Sequence, residues 1–226
     1  MLKPRITSAA GFSVVEVVVV IAIMIAVAAM ALPSLTSMVK SNQLSLSAND
    51  VSNLLTLARS QAIDLRVPVQ MRFVTDKWQQ STDDYSSHYR KVSLWKMDLN
   101  STNPDPYIQI TKWKTLPDGI IIVPVSGLSS FPQITDASNS YFAGIASDNI
   151  SGGVTSTGTT FNAGTLTFTP AGGLHSSDSS LSQIYLLLAE GYFPPGATNP
   201  VLTGQGKNWA QIRVSTLIGR ISSIRP

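Results

Sequence analysis

The sequence predicts an α+β fold in which one long N-terminal helix, its first half membrane-spanning, packs on an antiparallel β-sheet head. Three observations carry this expectation. Residues 17–32 are 16 consecutive apolar residues. Residues 34–67 contain neither glycine nor proline and space their apolar side chains at helical intervals. Beyond Pro68 the pattern changes to short runs with alternation or β-branched content, separated by polar stretches.

The first element is the apolar helix. Counting from Phe12 to Leu32 gives 21 residues in which only Ser13 and Glu16 are polar. At about 1.5 Å per residue such a helix is roughly 31 Å long, close to the thickness of a bilayer's hydrocarbon layer. Lys3 and Arg5 precede it and no acidic residue comes before Glu16, so the positive-inside rule keeps the N-terminus cytoplasmic and sends the rest outward. A secretory signal peptide cut at Ala26-Val27-Ala28 or Ala29-Met30-Ala31 is one alternative, and a plain anchor is another. Neither explains Glu16, since a charge within a span costs on the order of 2.5–3.5 kcal/mol and such residues are usually functional.

A short basic leader, then Gly11, Phe12, Ser13, two valines, Glu16, a long apolar run and Pro33 make a compound pattern. It resembles the prepilin signal of type IV pilins and of the pseudopilins of type II secretion systems. The resemblance implies that a prepilin peptidase cuts after Gly11 and that Phe12, the new N-terminal residue, is methylated. It implies that Glu16 meets the freed amino group of a neighbouring subunit during filament assembly, and that Pro33 kinks the helix. Charge pairing agrees with the borrowed role, because two charges that are each costly in lipid stabilise one another there. Proline within a helix removes one backbone hydrogen bond and crowds the carbonyl four residues back, which bends the helix. The implied partners are other prepilin-type subunits, the prepilin peptidase and the inner-membrane assembly platform. The implied location is the bacterial inner membrane, single-pass with a periplasmic head, and then the pilus or pseudopilus.

The second helical stretch places Leu44, Ala48, Val51, Leu55, Ala58, Ala62 and Leu65 at intervals of 4, 3, 4, 3, 4 and 3, one face that must pack on something. Val67 precedes Pro68 and is pushed to extended geometry, so the helix should stop near residues 64–66. "LLTLARSQAIDLRVPVQMRF" resembles the segment of the GspH/FimT group of pseudopilins and minor pilins in which an Ala-Arg-Ser-x-Ala core, here Ala58 to Ala62, ends the helix. Read without the family, Ala58 and Ala62 are small residues that let helix and sheet approach, and Arg59 is a solvated charge.

In the head, "VPVQMRFV", "RKVSLWKMD", "YIQITKWKTL", "GIIIVPV", "GTLTFTPAGG", "SQIYLLLAEG", "NWAQIRVSTL" and "GRISSIRP" read as strands, with turns at residues 170–173 and near Gly219. Residues 126–160 are rich in Ser, Thr, Gly and Asn and read as a long loop or insertion. The order Thr-Phe-Thr-Pro-x-Gly and then Val-Ser-x-x-x-Gly-Arg looks like the end of a GspH/FimT domain, through Phe168, Pro170, Gly172, Val214, Ser215, Gly219 and Arg220. The spacing from Ser215 to Gly219 is slightly long for that pattern. The organisation is therefore a leader at 1–11, a transmembrane or filament-core helix at 12–33, its continuation at 34–67, and a periplasmic head at 68–226.

Composition excludes several chemistries. The chain has 226 residues, 43% of them hydrophobic, and no cysteine, so disulfide frameworks, thiolate zinc sites and cysteine nucleophiles are unavailable. Formal net charge is +3, from 16 basic and 13 acidic residues; removing Lys3 and Arg5 leaves 14 against 13, or +1. Only His88 and His175 are present, each in a polar stretch and without zinc spacing, and the adjacent carboxylates Asp83 and Asp84 read as solvated. No nucleophile, base and orienter set stands out, so neither catalysis nor a cofactor or metal is expected. The reading is a structural subunit that assembles into, and helps to initiate, a type IV pilus or type II secretion pseudopilus. An alternative is DNA capture, because some FimT-like minor pilins carry Gly-Arg-x-Arg near the C-terminus. Here Gly219 and Arg220 are followed by Ile221 and Ser222, leaving Arg213, Arg220 and Arg225 as candidate DNA contacts. A secreted or membrane-anchored β-rich domain unrelated to pili is the remaining reading.

Overall fold

The computed structural model describes residues 13–75, 88–102, 105–123, 163–175, 183–195, 197, 200–203 and 208–224, apart from the side chains of residues 31–35. The loop expected at 126–160, the carboxylates Asp83 and Asp84, and the residues Gly11, Phe12 and Arg225 lie outside the described residues. The architecture is α+β, and the chain forms two compact units, Met1–Lys40 and Ser41–Pro226. Helix α1 (Val14–Leu65), of 52 residues, contributes to both.

In the first unit the helix from Val14 to Met30 is apolar except for Glu16, and its side chains are exposed from Val14 (79%) to Met30 (83%). Among the described residues no helix is long and apolar enough to cross a membrane. The expected span, residues 12–32, reaches beyond the described side chains at both ends, so a membrane crossing rests on the sequence.

In the second unit the predicted face of α1 is buried. Leu44, Val51, Leu55, Ala58 and Ala62 are fully enclosed and Ala48 nearly so, but Leu65, the last residue of the helix, is 43% exposed and does not belong to its packed face. The stop has a local cause. Arg66 adopts φ 55°, the left-handed conformation that commonly terminates helices, and Val67-Pro68 then enforces extended backbone.

Eleven strands follow among the described residues: β1 (Val69–Val74), β2 (Lys91–Met97), β3 (Tyr107–Gln109), β4 (Lys114–Thr115), β5 (Ile120–Ile122), β6 (Ala163–Phe168), β7 (Leu174–His175), β8 (Gln183–Tyr192), β9 (Val201–Leu202), β10 (Trp209–Ser215) and β11 (Ile221–Ile224). All their pairings are antiparallel. They form two sheets. One runs β3-β2-β1-β6-β7 with β4 on β2, and the other β11-β10-β8-β5 with β9 on β8. The run "YIQITKWKTL" is not one strand but two, β3 and β4, each pairing with β2.

Alternation decides which side chains meet. Val69, Met71 and Phe73 of β1, Leu166 and Phe168 of β6, Ile184, Leu186 and Leu188 of β8, and Ile212 and Val214 of β10 join the buried helix face in one core. Burying a Leu, Ile or Phe side chain contributes about 1.5–3 kcal/mol each, so this shared core is the main stabilising term of the second unit. The opposite side chains build two smaller clusters, Val74-Trp95-Ala163 on one sheet and Val123-Leu187-Ala189 on the other. The sheets are stitched together by main-chain bonds, from Ile122 N to Tyr89 O at 2.9 Å and from Leu174 N to Thr216 O at 2.7 Å.

Candidate functional site

The N-terminal unit holds the most informative charge. The first turn of α1 closes with Val17 N donating to Ser13 O at 3.2 Å, and Glu16 lies within that turn. A carboxylate there faces the positive end of the helix dipole, which is worth about 0.3–1 kcal/mol. That is well short of the roughly 2.5–3.5 kcal/mol a charge costs in a span, so the dipole alone does not offset the residue. The flanking valines and isoleucines are exposed, Val15 at 70% and Ile23 at 58%. A helix that is apolar all round needs lipid or other helices against it. The backbone at Pro33 is helical.

The second unit brings together three segments that the sequence flags separately. Residues 169–173 form a three-residue hairpin loop. Gly172 N donates to Thr169 O and Thr169 N donates to Gly173 O, both at 2.8 Å, and Gly172 has φ 84°. This is a type I turn with Pro170 at its second position, followed by a glycine bulge. At the β10–β11 turn Gly219 N donates to Ser215 O and Ser215 N donates to Arg220 O, both at 2.9 Å, and Gly219 has φ 62°. The bulge recurs there, with Thr216, Leu217 and Ile218 as the turn. The slightly long spacing from Ser215 to Gly219 is the length this turn requires.

The two turns touch each other, and Arg59 of α1 binds both. Its Nε donates to Gly172 O at 3.1 Å and to Ile218 O at 3.0 Å. Arg59 is therefore not a freely solvated charge; it fastens the end of the helix to a loop of each sheet. A Cβ on Gly219 would run into Gly172 O and come within 2.9 Å of Arg59 Cδ, while one on Gly173 would sit 2.7 Å from Leu217 O. Glycine is needed at Gly219 both for its conformation and for this approach. No local signal in the sequence announces the clasp, since its partners are carbonyls of turns 113 and 159 residues away.

A second charged residue has also left solvent. Arg72, fully buried, forms a two-pronged ion pair with Asp105, at 2.7 Å on each prong, and its Nε donates to Gln70 Oε1 at 3.0 Å. The guanidinium lies 4.5 Å from the Trp95 ring centre and 5.1 Å from that of Tyr107. His88 is not in an open polar loop but buried, 5.4 Å from the Phe193 ring, and His175 is an exposed residue of β7. Among the described residues no group of His, Cys, Asp or Glu is placed to hold a metal ion.

Two of the candidate DNA contacts, Arg213 and Arg220, lie within the described residues. Arg213 sits on the side of β10 away from the core, its guanidinium 5.5 Å from the Tyr185 ring centre, and Arg220 is exposed beside the bulge.

No family model matches the chain and no curated protein matches it. Among solved structures, the type IV minor pilin FimU of Pseudomonas aeruginosa is similar in two crystal forms. One gives 14% identity over 82% of this chain and 90% of that chain, with a TM-score of 0.38. The other gives 13% identity over 80% and 92%, with a TM-score of 0.37. The minor pseudopilin EpsH from the type 2 secretion system of Vibrio cholerae gives 13% identity over 81% of this chain and 98% of that chain, with a TM-score of 0.39. Overlap of that degree leaves function to be argued from the chain's own residues.

Proposed function

We propose that this chain is a minor pilin or pseudopilin, a structural subunit that is processed after Gly11, methylated at Phe12, and drawn from the inner membrane into a type IV pilus or a type II secretion pseudopilus. The observation that carries the reading is Glu16 in the first turn of a helix whose other side chains through Met30 are apolar and exposed. Such a carboxylate needs a cation in the same low-dielectric setting, and the amino terminus of a neighbouring processed subunit supplies one. The apolar faces supply the packing surface, first for lipid and then for the helices of partner subunits. In this role the chain is a substrate of the peptidase and a client of the assembly platform, and its head, joined to the same helix, sits in the periplasm. The helix bend at Pro33 belongs to the same proposal.

The test is mutational. Glu16→Ala should still be cleaved and methylated yet be missing from sheared filaments, whereas Gly11→Ala should stay at precursor length on an immunoblot. Normal filament incorporation of both variants sinks the reading.

A DNA-capture role is the less supported alternative. Arg213 lies over the Tyr185 ring, and phosphate binding needs several cations converging on one surface.

A further inference from the structure

We infer that Asn100, at the tip of the hairpin joining β2 to β3, accepts an N-linked oligosaccharide from a lipid-diphosphate donor. The inference rests on the periplasmic placement of the head proposed above, since the transfer takes place on the outer side of the inner membrane.

Residues 98–102 read Asp-Leu-Asn-Ser-Thr. Asn-x-Thr with a middle residue other than proline is the acceptor pattern for N-glycosylation, and it counts only where the chain presents it on an accessible surface loop. The fold does so. Asp98 N donates to Pro106 O at 2.7 Å and closes the loop, and Ser101 N donates to Asp98 O at 3.2 Å, making a β-turn of residues 98–101. Leu99 and Asn100 occupy the two central positions of that turn. Leu99 is 74% exposed, and Asn100 and Thr102 are exposed beside it.

Asparagine is common in turns for two other reasons, and neither holds here. It tolerates left-handed backbone, and its side chain bonds the main chain two residues on. Among the described residues only Arg66 and Tyr89 adopt a positive φ without being glycine, so Asn100 does not. The side chain that bonds the turn is that of Asp98, whose Oδ1 accepts from Asn100 N at 3.0 Å. The turn is thus held by Asp98, and the Asn100 carboxamide is presented to solvent. In the transfer, Asn100 Nδ2 forms a bond to C1 of the first sugar. The C1–O bond to the lipid diphosphate breaks, its electron pair leaves with the diphosphate, and the amide nitrogen releases one proton. Thr102 supplies the hydroxyl that the acceptor pattern requires. The product has a physical use, because a bulky, hydrated glycan beside Leu99 shields an apolar side chain that the hairpin leaves in water.

The test expresses the full chain, fused at its C-terminus to alkaline phosphatase, in cells holding a periplasm-facing oligosaccharyltransferase and its lipid-linked oligosaccharide. Phosphatase activity reports that the head has crossed the membrane. The mass of the tryptic peptide 97–112, released by cleavage after Lys96 and Lys112, reports the glycan. The expected result is an active phosphatase and a peptide heavier by one oligosaccharide, with a matching upward shift of the chain on a lectin blot. Asn100→Gln and Thr102→Val should each abolish that shift, and Thr102→Ser should keep it. An active phosphatase with an unmodified peptide 97–112 overturns this proposal alone. So does a glycan carried instead by the second Asn-x-Ser, at 149–151, which lies outside the described residues. A shift that survives Asn100→Gln has the same meaning. A silent phosphatase overturns the periplasmic placement of the head, and this proposal with it.

Discussion

Arg72 is a cation removed from water and surrounded by the groups that make its burial tolerable. Asp105 holds it with two parallel bonds, Gln70 takes its Nε, and the rings of Trp95 and Tyr107 flank its plane. Side-chain exposure is 1% for Arg72 and 20% for Asp105, so the pair is screened little by solvent. Removing one partner of such a pair is worse than removing both, because the remaining charge stays buried alone. Asp105→Ala should therefore cost about 3–5 kcal/mol in urea denaturation followed by tryptophan fluorescence. The double variant Arg72→Met with Asp105→Ala should recover a large part of that loss. Equal loss in the single and double variants would show that packing, and not the stranded charge, sets the cost. By contrast Lys114 and Asp50, 2.8 Å apart but 45% and 40% exposed, contribute little, as surface pairs usually do.

At the level of elements, the second half of α1 is held by its buried stripe, and the position of a residue along that stripe decides its worth. Leu55 is fully enclosed whereas Leu65, ten residues on, is 43% exposed. Leu55→Ala should destabilise by about 2–5 kcal/mol, through lost transfer energy and the cavity left behind. Leu65→Ala should stay within about 0.5 kcal/mol, measurable in the same denaturation experiment. The stripe itself is legible in the sequence because helical spacing is a local property, and only its last member, at the helix end, departs from the pattern. Strands of six or more residues, such as β1, β2, β8 and β10, are legible for the same reason. The two-residue strands β7 and β9 are not, since they exist only because a neighbouring strand lies beside them. The division into two sheets is also hidden, being fixed by pairings between distant segments. At the candidate site the charge of Glu16 in its apolar setting is plain from the sequence. The engagement of Arg59, the pairing of Arg72 with Asp105 and the burial of His88 are not, for all three depend on residues remote in sequence.

For the whole molecule, the two compact units carry different burdens. Residues 13–30 offer apolar surface and one carboxylate. The unit from Ser41 onward holds the common core of α1 and both sheets. Under the proposed function, substitutions in the first unit should alter processing and incorporation without changing the stability of the core. The converse should hold for Leu55 and Asp105. The Arg59 clasp has a further consequence, in the time domain. Its partners lie 113 and 159 residues along the chain, so both turns must already be closed before the guanidinium has anything to bind. We expect a contact that demands such prior chain closure to form after the rate-limiting barrier of folding, where it acts as a brake on the reverse process. Arg59→Ala should thus leave the refolding limb of a chevron plot almost unmoved while unfolding accelerates about fivefold to thirtyfold, the equivalent of about 1–2 kcal/mol. A slowed refolding limb would place the clasp in the folding nucleus instead. On the first outcome, one arginine at the end of a helix governs how long the head, once made, stays made.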